Sequence, residues 1–358
     1  PFIFTQCFDD GSVEVGSTAP VENYLVYWQN FRLDPVFLDI DNNELEITVP
    51  EQARQTARSF LRVFASSSAG IANDLLIPLD SGRVITDPAR LDRTDYHAAT
   101  IYNVFIDRFY NGNPANDEPL NSPEVLPPAD FKGGDIKGVT EKLRSGYFTD
   151  LGINTIWISP IIKNPKGAFG LWKEPLSKFS AYHGYWPISF NQIDPRFGTP
   201  DELKELVDTA HGMGLRVIMD LVHSHAVSNT LEGPGLQDGN PGLYFHDGPR
   251  RKHVAWDSLC FDYGKPKVAH FLLSNCKYWL EEYRFDGFRF DGITSMLYYD
   301  HGLGSDFVSY KQYFDGNQDA DAIGGQVGDE LEEHRGEAED GVGGAAVRCG
   351  HRRWQAVE

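Results

Sequence analysis

Residues 215–225 read LRVIMDLVHSH, and residues 285–292 read FDGFRFDG. In each, a short apolar run ends in ionisable side chains. The first delivers Asp220, then His223 and His225; the second delivers Arg289 and Asp291. Apolar runs of this kind suit strands buried on both faces, as in parallel sheets. Side chains alternate along a strand, so Arg289 and Asp291 share one face. A guanidinium favours the charged form of a neighbouring carboxylate, and a charged carboxylate is a nucleophile. On one strand, an ordinary strand-end ion pair would look the same. Two strands that end this way, with an aromatic cluster at 182–186 (YHGYW), favour a site. Tyr185 and Trp186 there suit sugar binding, because the apolar faces of sugars stack on rings; core packing is the competing reading. Gly184 and His183 favour a loop over a packed strand.

Working outward, residues 101–107 (IYNVFID) and 153–159 (INTIWIS) repeat the apolar-strand pattern. Helical spacing fills 137–150, 201–211 and 267–283, and Thr199-Pro200 supplies a cap and a first-turn proline. Apolar strands alternating with amphipathic helices predict β/α units around a parallel sheet, an α/β class of the (β/α)8 TIM-barrel type. Long irregular inserts at 108–135 and 222–266 follow the C-terminal ends of strands one and three, the edge that carries the active site in such barrels. Upstream, residues 24–28, 45–49 and 60–64 alternate apolar and polar, which predicts a small β-sandwich over 1–93, immunoglobulin-like in type. Residues 86–94 read as a linker, 94–323 as a partial barrel holding strands one to four, and 324–358 as a poorly ordered or out-of-frame tail. That tail holds eight glycines and eight acids, and its apolar residues fit neither period.

At 358 residues the chain exceeds one typical domain. It is 41% apolar and 23% charged, a globular composition. With 32 basic and 52 acidic residues its net charge is -20, which argues against nucleic acid and anionic lipid as partners. The last 58 residues supply -7 of that charge. No apolar run approaches the ~20 residues of a membrane span. The four cysteines lie far apart and suggest neither a disulfide scaffold nor a zinc site. The chain opens at Pro1, so compartment stays open.

Residues 220–225 and 287–291 resemble the first and second signature motifs of the alpha-amylase superfamily (glycoside hydrolase family thirteen). Tyr185 in GYW and the stretch 196–201 (RFGTPD) match as well, and the resemblance covers roughly 98–323. It implies that Asp291 is the covalent nucleophile and that Arg289 orients it. It implies that His225 bonds the sugar at the cleavage point, Tyr185 stacks on that sugar, and Asp220 supports the floor of the site. The implied partner is an alpha-glucan such as starch, glycogen or maltooligosaccharides.

Within the superfamily the resemblance is split. Residues 1–221 look like a neopullulanase-type or Bacteroidetes-type amylase, on IYNVFIDRFYNGNPAND at 101–117 and FKGGDIKGVTEKL at 131–143. In those relatives the NGN…ND loop binds calcium. Here Asn111, Asn113, Asn116 and Asp117 offer hard oxygen ligands, and a polar turn rich in Asn and Gly is the equal alternative. No cofactor is otherwise implied. Residues 223–323 look like a glycogen or starch branching enzyme. There Ser224 and Ser295 replace the Asn and His that amylases use for the usual calcium site between the barrel and its long loop, so that site is expected to be absent, as in branching enzymes. A cytoplasmic location would follow from the branching likeness, export from the amylase likeness.

A retaining glycosidase needs two carboxyl groups about 5–5.5 Å apart. In this family the acid/base is a Glu at the end of strand five, and a further Asp comes from strand seven. Only 67 residues follow Asp291, and at roughly 30 residues per unit four more units do not fit, so strands six to eight are expected to be absent. Ala338-Glu339-Asp340 resembles the AED that carries the catalytic Glu in branching enzymes. The residues before Glu339 will not form a buried strand, however, and a solvated acidic tail is the competing reading. Three functions therefore stand: alpha-1,4-glucan branching, favoured by the motifs nearest Asp291; alpha-amylase or neopullulanase-type hydrolysis; and a non-catalytic glucan-binding or inert fragment.

Overall fold

Glu44–Thr48 buries Leu45 and Ile47 and exposes the residues between them, the two-residue period of a strand with one wet face. The computed structural model describes residues 1–322 apart from 9, 10, 42, 229–231, 236–240, 310, 311, 314–316 and 321, and beyond them only 348, 349, 352 and 353. It divides into two units, Pro1–Thr100 and Ile101–Glu358.

In the first unit two antiparallel sheets form. One runs in the order Ile3–Phe8, Ser12–Ser17, Glu44–Thr48, Leu38–Asp41. The other orders Arg83–Val84, Leu75–Asp80, Arg58–Ser67, Asn23–Trp28 and Phe31–Arg32. Val13, Val15, Leu45 and Ile47 of the first sheet share one apolar cluster with Val26, Leu61, Val63, Ile77 and Leu79 of the second. The alternation at 24–28, 45–49 and 60–64 thus corresponds to strands with buried inner faces.

The second unit is built on four parallel strands: β1 (Ile101–Val104), β2 (Thr155–Ile158), β3 (Arg216–Leu221) and β4 (Gly287–Phe290), adjacent in that order. Helices α1 (Ile136–Arg144), α2 (Pro200–Gly212) and α3 (Pro266–Tyr283) fall between successive strands. All six residues of β3 are buried, as a parallel strand covered on both faces requires. Val217, Met219, Leu203, Leu206, Val268 and Trp279 belong to the core that β3, α2 and α3 share. Thr199 opens α2 with a full capping box: its hydroxyl accepts from the Glu202 amide, and the Glu202 carboxylate accepts from the Thr199 amide. Among the described residues no helix is long and apolar enough to cross a membrane.

Three expectations need correction. Strand one stops at Val104, not at 107. Ser159 Oγ accepts from the Ile106 amide, and the buried Asp107 carboxylate gathers the amides of Lys132 and Gly133, so the chain turns into the short helix Ile106–Phe109. The helix expected over 137–150 is two, Ile136–Arg144 and Tyr147–Asp150. Gly146, at φ +82°, breaks it in the left-handed region. The insert 222–266 is not wholly irregular: Lys252–His253, Ser258–Cys260 and His225–Val227 pair in a small antiparallel sheet. Residues 160–193 hold two further antiparallel pairs, Ile162–Lys163 with Ser189–Ile193 and, between them in sequence, the hairpin Phe169–Lys173 with Leu176–Phe179.

Candidate active site

The parallel register sets Asp220 of β3 directly opposite Arg289 of β4. Arg289 Nη1 donates to both Asp220 oxygens at 3.1 Å and to Asp291 Oδ1 at 2.6 Å. One guanidinium therefore joins the two carboxylates, as the shared strand face of 289 and 291 predicts. Asp220 is fully buried, whereas the Asp291 side chain is 19% exposed. Asp220 Oδ2 also accepts from the Tyr185 hydroxyl at 2.8 Å and the Trp157 indole at 3.3 Å. Burial pushes the Asp220 carboxyl up to about 6, and Arg289 and the Tyr185 hydroxyl pull it back. Burial, with the Asp220 charge beside it, holds the Tyr185 phenol above its ordinary value, so it stays a donor.

Tyr185 is held through its backbone, its hydroxyl and a ring contact. Gly184 turns the loop at φ +83°, where a Cβ would lie 2.2 Å from the Pro160 carbonyl oxygen. The Tyr185 amide donates to His183 Nδ1 at 3.0 Å, and the His183 ring stacks on the Tyr185 ring with centroids 5.7 Å apart. Burial pushes His183 down to about 3, so it accepts as the neutral ring.

His225 lies beside Tyr185, bonded within the protein. The ring is 2% exposed. Its Nε2–H donates to the Tyr185 carbonyl at 2.8 Å, and Nδ1 faces the Ser224 hydroxyl at 2.7 Å. Both nitrogens are spent within the protein, and the ring braces Tyr185. Trp186 is likewise packed rather than presented. It is 6% exposed, its indole donates to the Trp256 carbonyl at 2.9 Å, and it clusters with Ala181 and Val227. His223 lies off the site: Nε2 donates to Asn275 Oδ1 on α3 at 2.8 Å. Ser295 accepts from His253 Nε2 at 3.0 Å.

Reading the sequence missed Trp256. Its partly exposed ring lies flat on His253 (3.8 Å, 6°) and 5.4 Å from His225. A Cβ on Gly292, the residue after Asp291, would come within 2.9 Å of it. Trp256 thus stands over the segment that carries Asp291. It sits in an insert with no periodicity, and the stacking pattern that places it is non-local, so no local signal marks it.

At the loop after β1, Asn111 Nδ2 donates to both Asp117 oxygens at 2.9 Å. Asn113 Oδ1 accepts from the Ala115 amide at 3.4 Å. The side-chain oxygens of Asn111 and Asn116 are buried without a partner. These orphaned side-chain oxygens are hard donors of the kind calcium takes, while Asn113 serves the turn. Glu339 lies outside the described residues.

The sheet with its polar C-terminal edge is of the TIM-barrel type, and comparison with known proteins gives its relatives. Residues 103–232 match the alpha-amylase family, catalytic domain. The chain is 48% identical over 175 residues to the 1,4-alpha-glucan-branching enzyme of Felis catus, covering 49% of this chain and 23% of that one. The branching enzyme of Yarrowia lipolytica is 55% identical over 137 residues, 38% of this chain and 20% of that one. A solved Anoxybacillus alpha-amylase matches at 32% identity with a TM-score of 0.44, over 54% of this chain and 40% of that one. Over the matched residues the chain is similar to the alpha-amylase catalytic domain and to branching enzymes. It spans less than a quarter of the length of the branching enzymes it matches.

Proposed function

We propose that Ile101–Glu358 carries the nucleophile half of an alpha-glucan active site that works with retention, built on the first four strands of a (β/α)8 barrel and preceded by a β-sandwich. The observation that carries this is the bridge from Arg289 to both Asp220 and Asp291 beneath Tyr185. Asp291, the more exposed carboxylate, attacks the anomeric carbon. Arg289 holds it on line, and Asp220, kept in place by Tyr185 and Trp157, forms the floor. Tyr185 and Trp256 present ring faces for sugar. A carboxylic acid about 5–5.5 Å from Asp291, for which the sequence offers Glu339, would protonate the leaving oxygen. A glucan hydroxyl or water then releases the glycosyl group. The similarity to branching enzymes supports transfer to an α-1,6 branch.

Amylose treated with the chain, followed by iodine staining and a reducing-end assay, tests this. The expected result is loss of iodine colour with few new reducing ends, abolished by Asp291→Asn. Reducing ends without branches would show hydrolysis instead. Glucan retardation in a glycogen gel with no turnover would show a binding fragment.

We also propose that Asn111, Asn116 and Asp117 hold calcium, which would tie the loop after β1 together and take no part in bond cleavage. A ligand at a hundred times its Kd stabilises by ~2.7 kcal/mol. For a unit of this size that is a rise of about 5 °C or more in Tm. Equal melting temperatures in calcium and in chelator would refute it.

A further inference from the structure

Asn164 lies between β2 and the YHGYW loop, is 2% exposed, and spends every polar atom of its side chain. Nδ2 donates to the Ile162 carbonyl at 2.7 Å and the Gly184 carbonyl at 3.0 Å. Oδ1 accepts from the Trp186 amide at 2.7 Å. The two loop contacts fall on the residues immediately before and after Tyr185. Asn164 is itself clamped. Its amide donates to Asp194 Oδ2 at 3.0 Å, and its carbonyl accepts from Arg196 Nη2 at 3.0 Å. Asp194 and Arg196 form a buried two-pronged ion pair, at 2.8 and 2.6 Å. A continuous path of bonds thus runs from the Asp194–Arg196 pair through Asn164 to the Tyr185 backbone. From there the hydroxyl reaches Asp220.

We propose that Asn164 is a positioning residue that fixes Tyr185 over Asp220 before any sugar arrives, with the Asp194–Arg196 pair as its anchor. This rests on reading Tyr185 as a sugar platform. A platform ordered in advance spares the ligand the cost of ordering it, and that cost per immobilised group corresponds to roughly tenfold in affinity. A group that merely filled space would change the melting temperature and leave the affinity of the folded fraction alone.

The test is maltotriose binding by calorimetry to the full chain and to Asn164→Ala, Tyr185→Ala and the double variant, with circular dichroism giving the folded fraction. Tyr185→Ala is expected to weaken binding and Asn164→Ala to weaken it about tenfold. The double variant is expected to be no weaker than Tyr185→Ala alone, because both act through one ring. Wild-type affinity in Asn164→Ala, or losses that add, would overturn the proposal while leaving the site reading intact. Wild-type affinity in Tyr185→Ala would overturn the site reading and this proposal together. Should Asn164→Ala not fold, hydrogen exchange on the unliganded wild type decides: slow exchange at the Tyr185 and Trp186 amides supports the proposal, and exchange at the rate of open loops overturns it.

Discussion

Asp220 has no exposed surface, yet it receives donors from Arg289, Tyr185 and Trp157. Each donor offsets part of the cost of burying its charge. Removing one leaves the others to carry it. Tyr185→Phe deletes the hydroxyl donor, and that hydrogen bond lowers the Asp220 carboxyl. The carboxyl should therefore titrate above its present value of about 6, in a carbonyl-detected NMR titration of labelled aspartate. Losing one hydrogen bond to the buried carboxylate should also cost ~1.5–3 kcal/mol of stability. A titration midpoint that stays or falls would refute the role of the phenol. Asp220, Arg289 and Asp291 were legible in the sequence because strand alternation and a strand's end are local facts. The engagement of His225 was not. Its carbonyl partner on Tyr185 is 40 residues away, and nothing local says that a ring nitrogen will be spent on backbone. Trp256 and Asn164 were hidden for the same reason.

Among the elements, α2 was the most readable, because all of its determinants are within one turn: Thr199 as cap, Pro200 at the first position, and Glu202 reaching back. Thr199→Ala removes the acceptor for the Glu202 amide and should cost about 1 kcal/mol in urea unfolding. Glu202→Gln should lower stability less, since an amide still offers an acceptor to the Thr199 amide. Unchanged stability in Thr199→Ala would mean that the box is redundant with the packing of Leu203, Leu206 and Val207. The end of β1 was misread because the run 101–107 stays apolar, Asn103 aside, up to Asp107. What stops it is tertiary: the Ser159 hydroxyl from the neighbouring strand, and the glycine-rich turn at 133–134 folding onto Asp107. A Cβ on Gly134 would lie 2.0 Å from the Ile106 carbonyl oxygen, so that close approach depends on the glycine. The small sheet in the insert escaped because its strands are two or three residues long, too short for a period to register.

For the whole molecule the buried titratable groups set a direction with pH. Burial holds His183 near 3 and His223 and His253 near 4, and pushes His225, His246 and His301 the same way. As pH falls through 6.5, the unfolded chain takes up protons that these folded rings refuse, so the fold loses stability. Asp220, at about 6, works in the opposite sense, as do Asp107 and Asp135, which burial also raises. A raised carboxyl takes its proton in the fold before it would in the unfolded chain, and stability gains as pH falls from about 6 towards 4. Three histidines with large shifts stand against one such carboxyl, leaving about two protons net to the unfolded state near pH 5. At ~1.4 kcal/mol per proton per pH unit, that is a loss of roughly 2–3 kcal/mol per pH unit. Urea unfolding at pH 7, 6 and 5, followed by the fluorescence of buried Trp279, should show the midpoint falling at each step. His223→Gln, which keeps a polar partner for Asn275, should flatten the slope by about one proton, or ~1.4 kcal/mol per pH unit. Stability that holds or rises at pH 5 would show that the buried carboxyls, and not the histidines, dominate the acid response.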